Sequence, residues 1–214
     1  MANDDFDTCR LCLVTPSGGS PEGLGTMVDA ALSAGDVASL IVTADAADLA
    51  RLAQVTVPIA QAHGVAALIH NDRQIAAATG ADGVHFDGRV TELRACIDDL
   101  HPDRIVGAGN LTSRHDAMAA GEAEPDYVFF GRLDGDTGEE IFPKALGLAE
   151  WWAGLFQIPA VVMGGSDLNS VQQARDAGIE FVALRRAVWE HPDGPADAVA
   201  LANRLLAEAR DAVP

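Results

Sequence analysis

Short apolar runs rich in β-branched residues alternate along the chain with alanine-rich segments in which apolar positions recur at helical spacing. The apolar runs are continuous, which is typical of strands that helices cover on both faces. The pattern predicts eight strands, at Arg10–Thr15, Val37–Val42, Ala66–His70, Gly83–Phe86, Arg104–Ala108, Tyr127–Gly131, Ala160–Met163 and Phe181–Leu184. It predicts helices near Leu24–Ala34, Ala46–His63, Arg73–Thr79, Val90–Leu100, Ser113–Ala120, Leu148–Phe156, Leu168–Ala177 and Asp197–Ala212.

Eight strand–helix repeats in 214 residues predict one α/β domain, a single (β/α)8 TIM barrel over residues 1–214 with residues 1–8 as a flexible tail. Glycines at positions 35, 80, 121 and 178 follow helical patterns, where a left-handed residue often ends a helix. Pro58 predicts a kink or a break in the second helix. An open doubly wound sheet is the alternative, but residues 17–21 after the first strand lack the G-x-G-x-x-G spacing of that fold.

The amino-acid composition excludes several classes of binding partner and of cellular environment. A net charge of −18 argues against a nucleic-acid or anionic-membrane partner. No apolar run reaches 18 residues, and the acidic N-terminus is unlike a signal peptide. Cys9, Cys12 and Cys96 do not make a disulfide framework. Cys9 and Cys12 fall at the start of a strand, where residues three apart point to opposite faces, so they predict structural thiols in a reducing cytoplasm.

The last two strand ends of the predicted barrel suggest a phosphate site. Gly164, Gly165 and Ser166 follow the seventh strand, and their backbone N–H groups can approach an anion closely. A short helix after the eighth strand directs its N-terminus to the same place, beside Arg185 and Arg186. The sequence therefore predicts that a phosphorylated small molecule binds here. The alternative is a tight turn with solvated arginines.

Other polar residues follow the third, fourth and sixth strands, so Asn71, Asp72, His85 and Arg132 are the candidate catalytic residues. Asp72 and Asp87 are candidate ligands for Mg²⁺, a cation that takes carboxylate oxygens. Each has a structural alternative. Asn71 or Asp72 could cap the third helix, and His85 could be a packed, hydrogen-bonded residue of the core.

Two adjacent tryptophans, Trp151 and Trp152, lie on the sixth helix, away from the predicted mouth of the barrel. At least one ring is expected to pack against the barrel, because aromatic rings dominate the energetics of cores. The other ring is a candidate contact with a second copy of the chain.

With these residues in place, the chain resembles the thiamine phosphate synthase and thiazole tautomerase superfamily over nearly its whole length. The resemblance rests on Leu13-Val14-Thr15, Asn71-Asp72-Arg73, Gly80-Ala81-Asp82-Gly83-Val84-His85, Ile105-Val106-Gly107, Asp126 through Gly131, Ile158 through Gly165, and Ala177-Gly178. It implies an enzyme of thiamine metabolism, a transferase that joins a pyrimidine methyl diphosphate to a thiazole phosphate. In the reaction that the resemblance implies, magnesium assists the departure of the diphosphate.

Several positions depart from the pattern of that superfamily. Thr43 stands where the resemblance implies a lysine, Val90 where it implies a magnesium-binding aspartate, and Gly109 where it implies a serine. Asp136-Thr137-Gly138-Glu139 replaces a Thr-x-Thr-Lys loop, although Lys144 or Arg132 could supply a cation, and Leu111 replaces the tautomerase histidine. We therefore expect a phosphate-binding barrel in which synthase turnover is in question. The alternatives are a non-catalytic binding or regulatory relative, and an enzyme with different chemistry on a phosphorylated metabolite.

Overall fold

The computed structural model describes residues 9–16 and 20–208. The predicted tail at residues 1–8, most of the turn after the first strand and the end of the last predicted helix lie outside these residues. The strands β1 to β8 are Arg10–Val14, Ser39–Val42, Ala66–His70, Gly83–Phe86, Ile105–Leu111, Tyr127–Phe130, Ala160–Met163 and Phe181–Leu184. The helices α1 to α9 are Pro21–Leu32, Ala46–Ala62, Arg73–Thr79, Val90–Leu100, Arg114–Gly121, Pro143–Ala153, Ser170–Asp176, Arg186–Trp189 and Pro195–Ala207.

The eight strands are parallel and form a closed barrel in sequence order, because β1 pairs with β8 as well as with β2. The predicted TIM barrel is confirmed. A small cluster fills the barrel, with Tyr127, Phe129 and Met163 among its members. A much larger cluster lies between the sheet and the surrounding helices. Both faces of each strand are therefore buried, which is why the strands are continuously apolar.

Cys9, which directly precedes β1, and Cys12 within β1 lie in different layers of the barrel. Cys9 packs in the outer cluster and Cys12 in the cluster inside the barrel, so both thiols are buried on opposite faces. Burial raises the pKa of Cys9 to about 12 and that of Cys12 to about 11. Both thiols are thus protonated at neutral pH and unreactive, as expected for structural cysteines.

Three carboxylates at the N-terminal ends of the strands join neighbouring strands in pairs. Asp82, just before β4, accepts a hydrogen bond from the amide of Ala67 in β3 at 2.8 Å. Asp126, just before β6, does the same for Val106 in β5 at 2.7 Å. Glu180, just before β8, accepts from Ala160 in β7 at 2.9 Å. These carboxylate clamps supply partners for amides at the start of β3, β5 and β7.

The helix ends match the glycine-based prediction at two of four positions. Gly80 and Gly178 have φ of 70° and 72°, as a left-handed helix end requires. Gly121 instead lies inside α5, and the left-handed residue that follows is Glu124, with φ of 58°. Gly35 serves close packing, since a Cβ there would lie 2.5 Å from Nδ2 of Asn203 on α9.

Pro58 does not interrupt α2, so the expected break is wrong. The helix runs on for another turn because its apolar face, including Val57 and Ala60, is buried on both sides of the proline. Tertiary packing thus outweighs the lost backbone hydrogen bond.

Among the described residues, none of the helices has both the length and the apolar content to cross a membrane.

The aromatic pair on α6 packs as expected for one of its two rings. Trp152 is buried, donates from Nε1 to the carbonyl of Ile158 at 2.8 Å and stacks on Phe156 with centroids 4.0 Å apart. Trp151 is only partly buried, and the guanidinium of Arg114 lies 4.8 Å from its ring centroid. The proposed contact with a second copy stays a prediction.

Candidate functional site

A polar cavity of 410 Å³ opens at the C-terminal ends of the strands. Its lining is rich in ionisable and amide side chains: Asp45, His70, His85, Asp87, Asn110, Arg132, Asp134 and Arg185, together with Thr43, Ala44, Gly131 and Leu133. These residues come from loops or strand ends throughout the barrel, so the site exists only in the closed fold. A concave site with convergent polar groups at this end of a TIM barrel is the expected position for a ligand.

Thr43, His70 and Asp87 form a hydrogen-bonded chain across the ends of β2, β3 and β4. Nε2 of His70 lies 2.9 Å from Oδ2 of Asp87, and Nδ1 lies 3.1 Å from Oγ1 of Thr43. Because an ionised carboxylate only accepts, Nε2 carries the proton toward Asp87. Hydrogen bonds from His70 and then Asn71 lower the pKa of Asp87 to about 2, although partial burial opposes them. In neutral His70, Nδ1 is therefore left as an acceptor.

Asn71 and Asp72 have different roles at the end of β3. Asn71 adopts φ of 56°, which asparagine tolerates, and its side chain receives a hydrogen bond from the amide of Asp87 at 3.0 Å. Oδ1 of Asp72 accepts from the amide of Ile75 at 2.8 Å, so Asp72 is the N-cap of α3. This is the capping alternative raised by the sequence.

His85 is buried in the upper layer of the barrel and faces the polar cavity. Its Nδ1 is 2.8 Å from the hydroxyl of Tyr127, and its ring packs edge-on against Phe129 at a centroid distance of 5.0 Å. Burial, and then the neighbouring His70, lower the pKa of His85 to about 3. A Cβ on Gly109 would lie 2.6 Å from Nε2, so a side chain there would crowd the imidazole. His85 is thus a packed, neutral residue of the core, and its catalytic role stays a prediction.

A second, mainly apolar cavity of 490 Å³ adjoins the polar one. The two share Asn110, Gly131, Arg132 and Asp134 in their linings. The remaining walls of the apolar cavity are mostly Leu111, Ala145, Leu148, Met163 and the exposed ring of Phe142, with Lys144 as a cation. The mouth therefore offers a polar compartment beside an apolar one, an arrangement suited to a ligand with a ring and a charged group.

The arginines at the mouth are engaged by aspartates of the β6–α6 loop, residues 131–142. Arg132 contacts Asp134 through two hydrogen bonds of 2.9 and 3.0 Å, and both side chains are well exposed. Arg185 donates from Nε to Oδ1 of Asp136 at 3.1 Å and from Nη2 to the same oxygen. The carboxylate of Asp136 is fully buried, and the guanidinium of Arg185 is only 12% exposed.

The structure divides the predicted phosphate-binding residues, because Arg185 lines the polar cavity whereas Ser166 and Arg186 line a separate cavity beside α8. Ser166 donates to the carbonyl of Gly138 from its amide at 2.8 Å and from Oγ at 3.1 Å. A Cβ on Gly165 would lie 1.9 Å from the carbonyl oxygen of Glu139. Gly164 donates its amide to Ala183 within the barrel. The loop therefore lies against Gly165 and Ser166, and phosphate binding by these residues stays a prediction.

Arg186, the last of the predicted phosphate ligands, directs its side chain elsewhere. Its guanidinium pairs with Glu190 one turn along at 3.0 Å, and its backbone amide donates to Oδ2 of Asp136 at 2.8 Å. The first amide of α8 thus does bind an anion, as the sequence suggested, but that anion is a carboxylate of the same chain.

The two predicted magnesium ligands are both hydrogen-bonded within the chain. Asp72 is used as a helix cap, and Asp87 is held by His70 and Asn71. Within residues 9–16 and 20–208, no cluster of three or more histidine, cysteine, aspartate or glutamate side chains is arranged to hold a metal ion. Because Mg²⁺ is commonly held by one or two carboxylates together with water and ligand oxygens, its binding by Asp72 or Asp87 stays a prediction.

The sequence does not predict two of the hydrogen-bonded groups of the site. One is the pair of Asp136 and Arg185, which lie 49 positions apart along the chain. The other is the chain of Thr43, His70 and Asp87. The common signal was position, since each follows or ends a predicted strand. Only the closed barrel shows which of these strand ends are neighbours.

Comparison with known proteins agrees with this architecture. The chain is 39% identical over 204 residues to a thiamine-phosphate synthase of Rhodospirillum centenum, covering 92% of this chain and 98% of the relative. It is 36% identical to a thiamine-phosphate synthase of Hyphomonas neptunium, covering 92% and 93%. A thiamine phosphate pyrophosphorylase from Pyrococcus furiosus shares the fold, with a TM-score of 0.74, 19% identity and coverage of 95% and 98%.

The match to a family model covers most of the barrel. The model described as thiamine monophosphate synthase matches residues 11–188, from the first strand to the short helix after β8. The resemblance read from the Asn71-Asp72-Arg73 and Gly80 to His85 motifs is thereby confirmed. This chain belongs to the thiamine monophosphate synthase family.

Proposed function

We propose that this member of the family binds a phosphorylated small molecule of thiamine metabolism at its mouth and carries out the synthase reaction slowly or not at all. The charge balance of the mouth carries the proposal. Arg132 and Arg185 both line the polar cavity, and each is engaged by an aspartate of the β6–α6 loop. A departing diphosphate needs cations directed at its developing charge. Here that charge would meet carboxylates as well.

The departures from the superfamily pattern support the same proposal. Thr43, in the place of the implied lysine, is hydrogen-bonded to His70 rather than directing a cation into the cavity. Gly109, in the place of the implied serine, leaves room for the ring of His85. Val90, in the place of the implied metal ligand, begins α4 and has no oxygen in its side chain. Three groups that would serve a diphosphate are thus replaced.

Binding of a phosphorylated ligand is supported by the names of the relatives and by the two compartments of the mouth. Relatives at 39% and 36% identity are named thiamine-phosphate synthases, which implies a phosphate-bearing ligand for the family. The apolar cavity, with Met163 and Phe142, suits a heteroaromatic ring. Gly165 and Arg185 lie at the ends of β7 and β8, where TIM barrels often bind phosphate.

A location in the cytoplasm belongs to the same proposal, as does the absence of a nucleic-acid partner. The net charge of −18 opposes binding to phosphate backbones. The buried thiols of Cys9, Cys12 and Cys96 are free, which suits a reducing compartment.

The proposal is tested by measuring binding and turnover in parallel. Thiazole phosphate is titrated into the protein by calorimetry, with the dephosphorylated alcohol as the control ligand. Thiamine phosphate formation is then measured with both synthase substrates and Mg²⁺, and the Rhodospirillum centenum relative serves as the reference enzyme. We expect binding of thiazole phosphate, and product formation at least about a hundredfold slower than the reference, as loss of two or more charge-stabilising groups implies.

A variant that restores the implied pattern sharpens the test. In Thr43→Lys/Val90→Asp, one cation and one metal ligand return to the positions that the resemblance assigns to them. Faster product formation in this variant would trace the slow turnover to these replacements. Product formation by the unmodified protein at the rate of the reference enzyme would refute the proposal, as would equal affinity for the phosphate and the alcohol.

Proton transfer is a second candidate function, favoured by the chain of Thr43, His70 and Asp87. A histidine whose Nε2 is held by a carboxylate can act as a general base through Nδ1, which in this structure accepts from the hydroxyl of Thr43. Deuterium incorporation into thiazole phosphate in D₂O, followed by NMR, tests this function. Incorporation should fall in His70→Gln and persist in His115→Gln, a change on the exposed face of α5.

A further inference from the structure

We infer that Asp136 is a specificity determinant of the mouth: its carboxylate holds the place of a ligand phosphate beside Arg185, so a phosphorylated ligand binds there by displacing it. The inference deepens the proposed function and rests on it. It concerns the first residue of the segment that replaces the Thr-x-Thr-Lys loop of the superfamily pattern, and it assigns this aspartate a role of its own.

The partners of Asp136 are those an anion requires. One carboxylate oxygen accepts from Nε and Nη2 of Arg185, and the other accepts from the amide of Arg186 at 2.8 Å. A guanidinium fork and a backbone N–H are also the donors that hold phosphate oxygens in proteins. Asp136 is 1% exposed, and a carboxylate is buried to this extent only where its charge is matched. Its carboxylate therefore occupies a position suited to an anion.

The loop that carries Asp136 also covers the glycine that would admit a ligand. The carbonyls of Gly138 and Glu139 accept from the amides of Ser166 and Asp167, at 2.8 and 3.3 Å. A Cβ on Gly165 would lie 1.9 Å from the carbonyl oxygen of Glu139, so the loop backbone is in direct contact with Gly165. The loop backbone thus fills the side of Gly165 toward which a side chain would point. Displacing Asp136 from Arg185 therefore involves the same loop that contacts Gly165 and Ser166.

Asp134 provides a matched control two residues away in the same loop. It forms the same kind of two-bond contact with an arginine, Arg132, but both side chains are more than half exposed. Solvent and salt screen such a pair strongly. Replacing either aspartate removes one negative charge from the mouth, but only replacement of Asp136 vacates the buried position beside Arg185.

The test compares Asp136→Asn and Asp136→Ser with Asp134→Asn and the unmodified chain. Calorimetry gives the affinity for inorganic phosphate, thiazole phosphate and the dephosphorylated alcohol. Both Asp136 variants should bind the two phosphate ligands about tenfold more tightly or better, because one charge-assisted competitor has been removed. Affinity for the alcohol should change less than about twofold in the Asp136 variants. Asp134→Asn removes the same charge from an exposed pair, so its gain in affinity for the phosphate ligands should be clearly smaller than that of Asp136→Asn. Adding Arg185→Gln to an Asp136 variant should cancel the gain.

Circular dichroism in phosphate-free buffer serves as the control that each variant is folded. An Asp136 variant that is unfolded there should refold when phosphate is added, since phosphate supplies the missing anion. Failure of phosphate to restore folding would overturn the inference. So would equal gains in Asp136→Asn and Asp134→Asn, or a gain that survives Arg185→Gln.

The outcomes separate this inference from the proposed function. If the unmodified chain does not bind thiazole phosphate but the Asp136→Asn variant binds phosphate tightly, the proposed function is refuted and the inference is supported. An unmodified chain that binds thiazole phosphate, with no gain in either Asp136 variant, would end the inference alone.

Discussion

The buried imidazole of His85 makes the stability of the barrel depend on pH. His85 is 1% exposed, and its pKa falls from the ordinary value of 6.5 to about 3 because burial disfavours the charged ring. The unfolded chain therefore binds a proton between these two pH values and the folded chain does not. Since the folded pKa is the lower one, the stabilisation is complete above pH 6.5 and is lost as the pH falls toward 3.

The size of the effect follows from the shift. A difference of 3.5 pKa units corresponds to about 4–5 kcal/mol once both states are fully titrated. Between pH 7 and pH 5, His85 alone should lower the free energy of unfolding by about 2 kcal/mol, because at pH 5 the unfolded imidazole is almost fully protonated. For a chain of this length, that loss corresponds to a fall in Tm of about 4–8 °C.

The assay is urea unfolding at pH 7 and at pH 5 for three proteins. His85→Asn removes the titrating ring but keeps a polar atom near Tyr127, and His115→Asn is the control on the exposed face of α5. His85→Asn should lose about 2 kcal/mol less than the unmodified chain between the two pH values, whereas His115→Asn should behave like the unmodified chain. Equal losses in all three proteins would refute the account of a buried neutral imidazole.

Two further predictions concern packing and capping. Gly107→Ala should lower the free energy of unfolding by about 1–3 kcal/mol, because its Cβ would lie 1.9 Å from the ring of Tyr127. The Cβ of Gly147→Ala in α6 would meet nothing within 4 Å, so this change should raise the free energy of unfolding by about 0.5–1 kcal/mol. Equal effects of the two glycine substitutions in urea titrations would contradict the packing argument. Asp72→Ala should cost about 1 kcal/mol through the lost cap of α3, equally with and without Mg²⁺. A loss seen only with Mg²⁺ would instead identify Asp72 as a metal ligand.

The barrel could be predicted from the sequence because its signals are local and repeated. Each strand is an apolar run of four to seven residues, and most of the predicted bounds agree with the structure to within one or two positions. The glycine signal was less reliable. Gly80 ends α3 in the left-handed conformation, whereas Gly35 is required by the close approach of Asn203 from α9. Whether a glycine serves its own helix or a distant one is decided by tertiary packing.

The candidate site was predicted as a set of positions and not as a set of contacts. That His85, Arg132 and Arg185 line the mouth followed from their places at or after strand ends. That Asp136 binds Arg185 did not follow, because the path of an irregular loop depends on the surface it covers. The sequence therefore shows only that a carboxylate stands in this loop, whereas the folded chain shows that it pairs with an arginine.

The carboxylate clamps at the base of the barrel determine where the chain can be opened. Each clamp lies within a pair of successive strands, as Asp82 joins β3 to β4 and Asp126 joins β5 to β6. A circular permutant that begins between α4 and β5 keeps each clamp on one continuous stretch of chain. A permutant that begins between α3 and β4 places Asp82 and Ala67 at opposite termini, so their bond must form across the full length of the polypeptide. The base of this barrel thus joins β3–β4, β5–β6 and β7–β8 into two-strand blocks, and we expect permutants opened between these blocks to fold more readily than those opened within one.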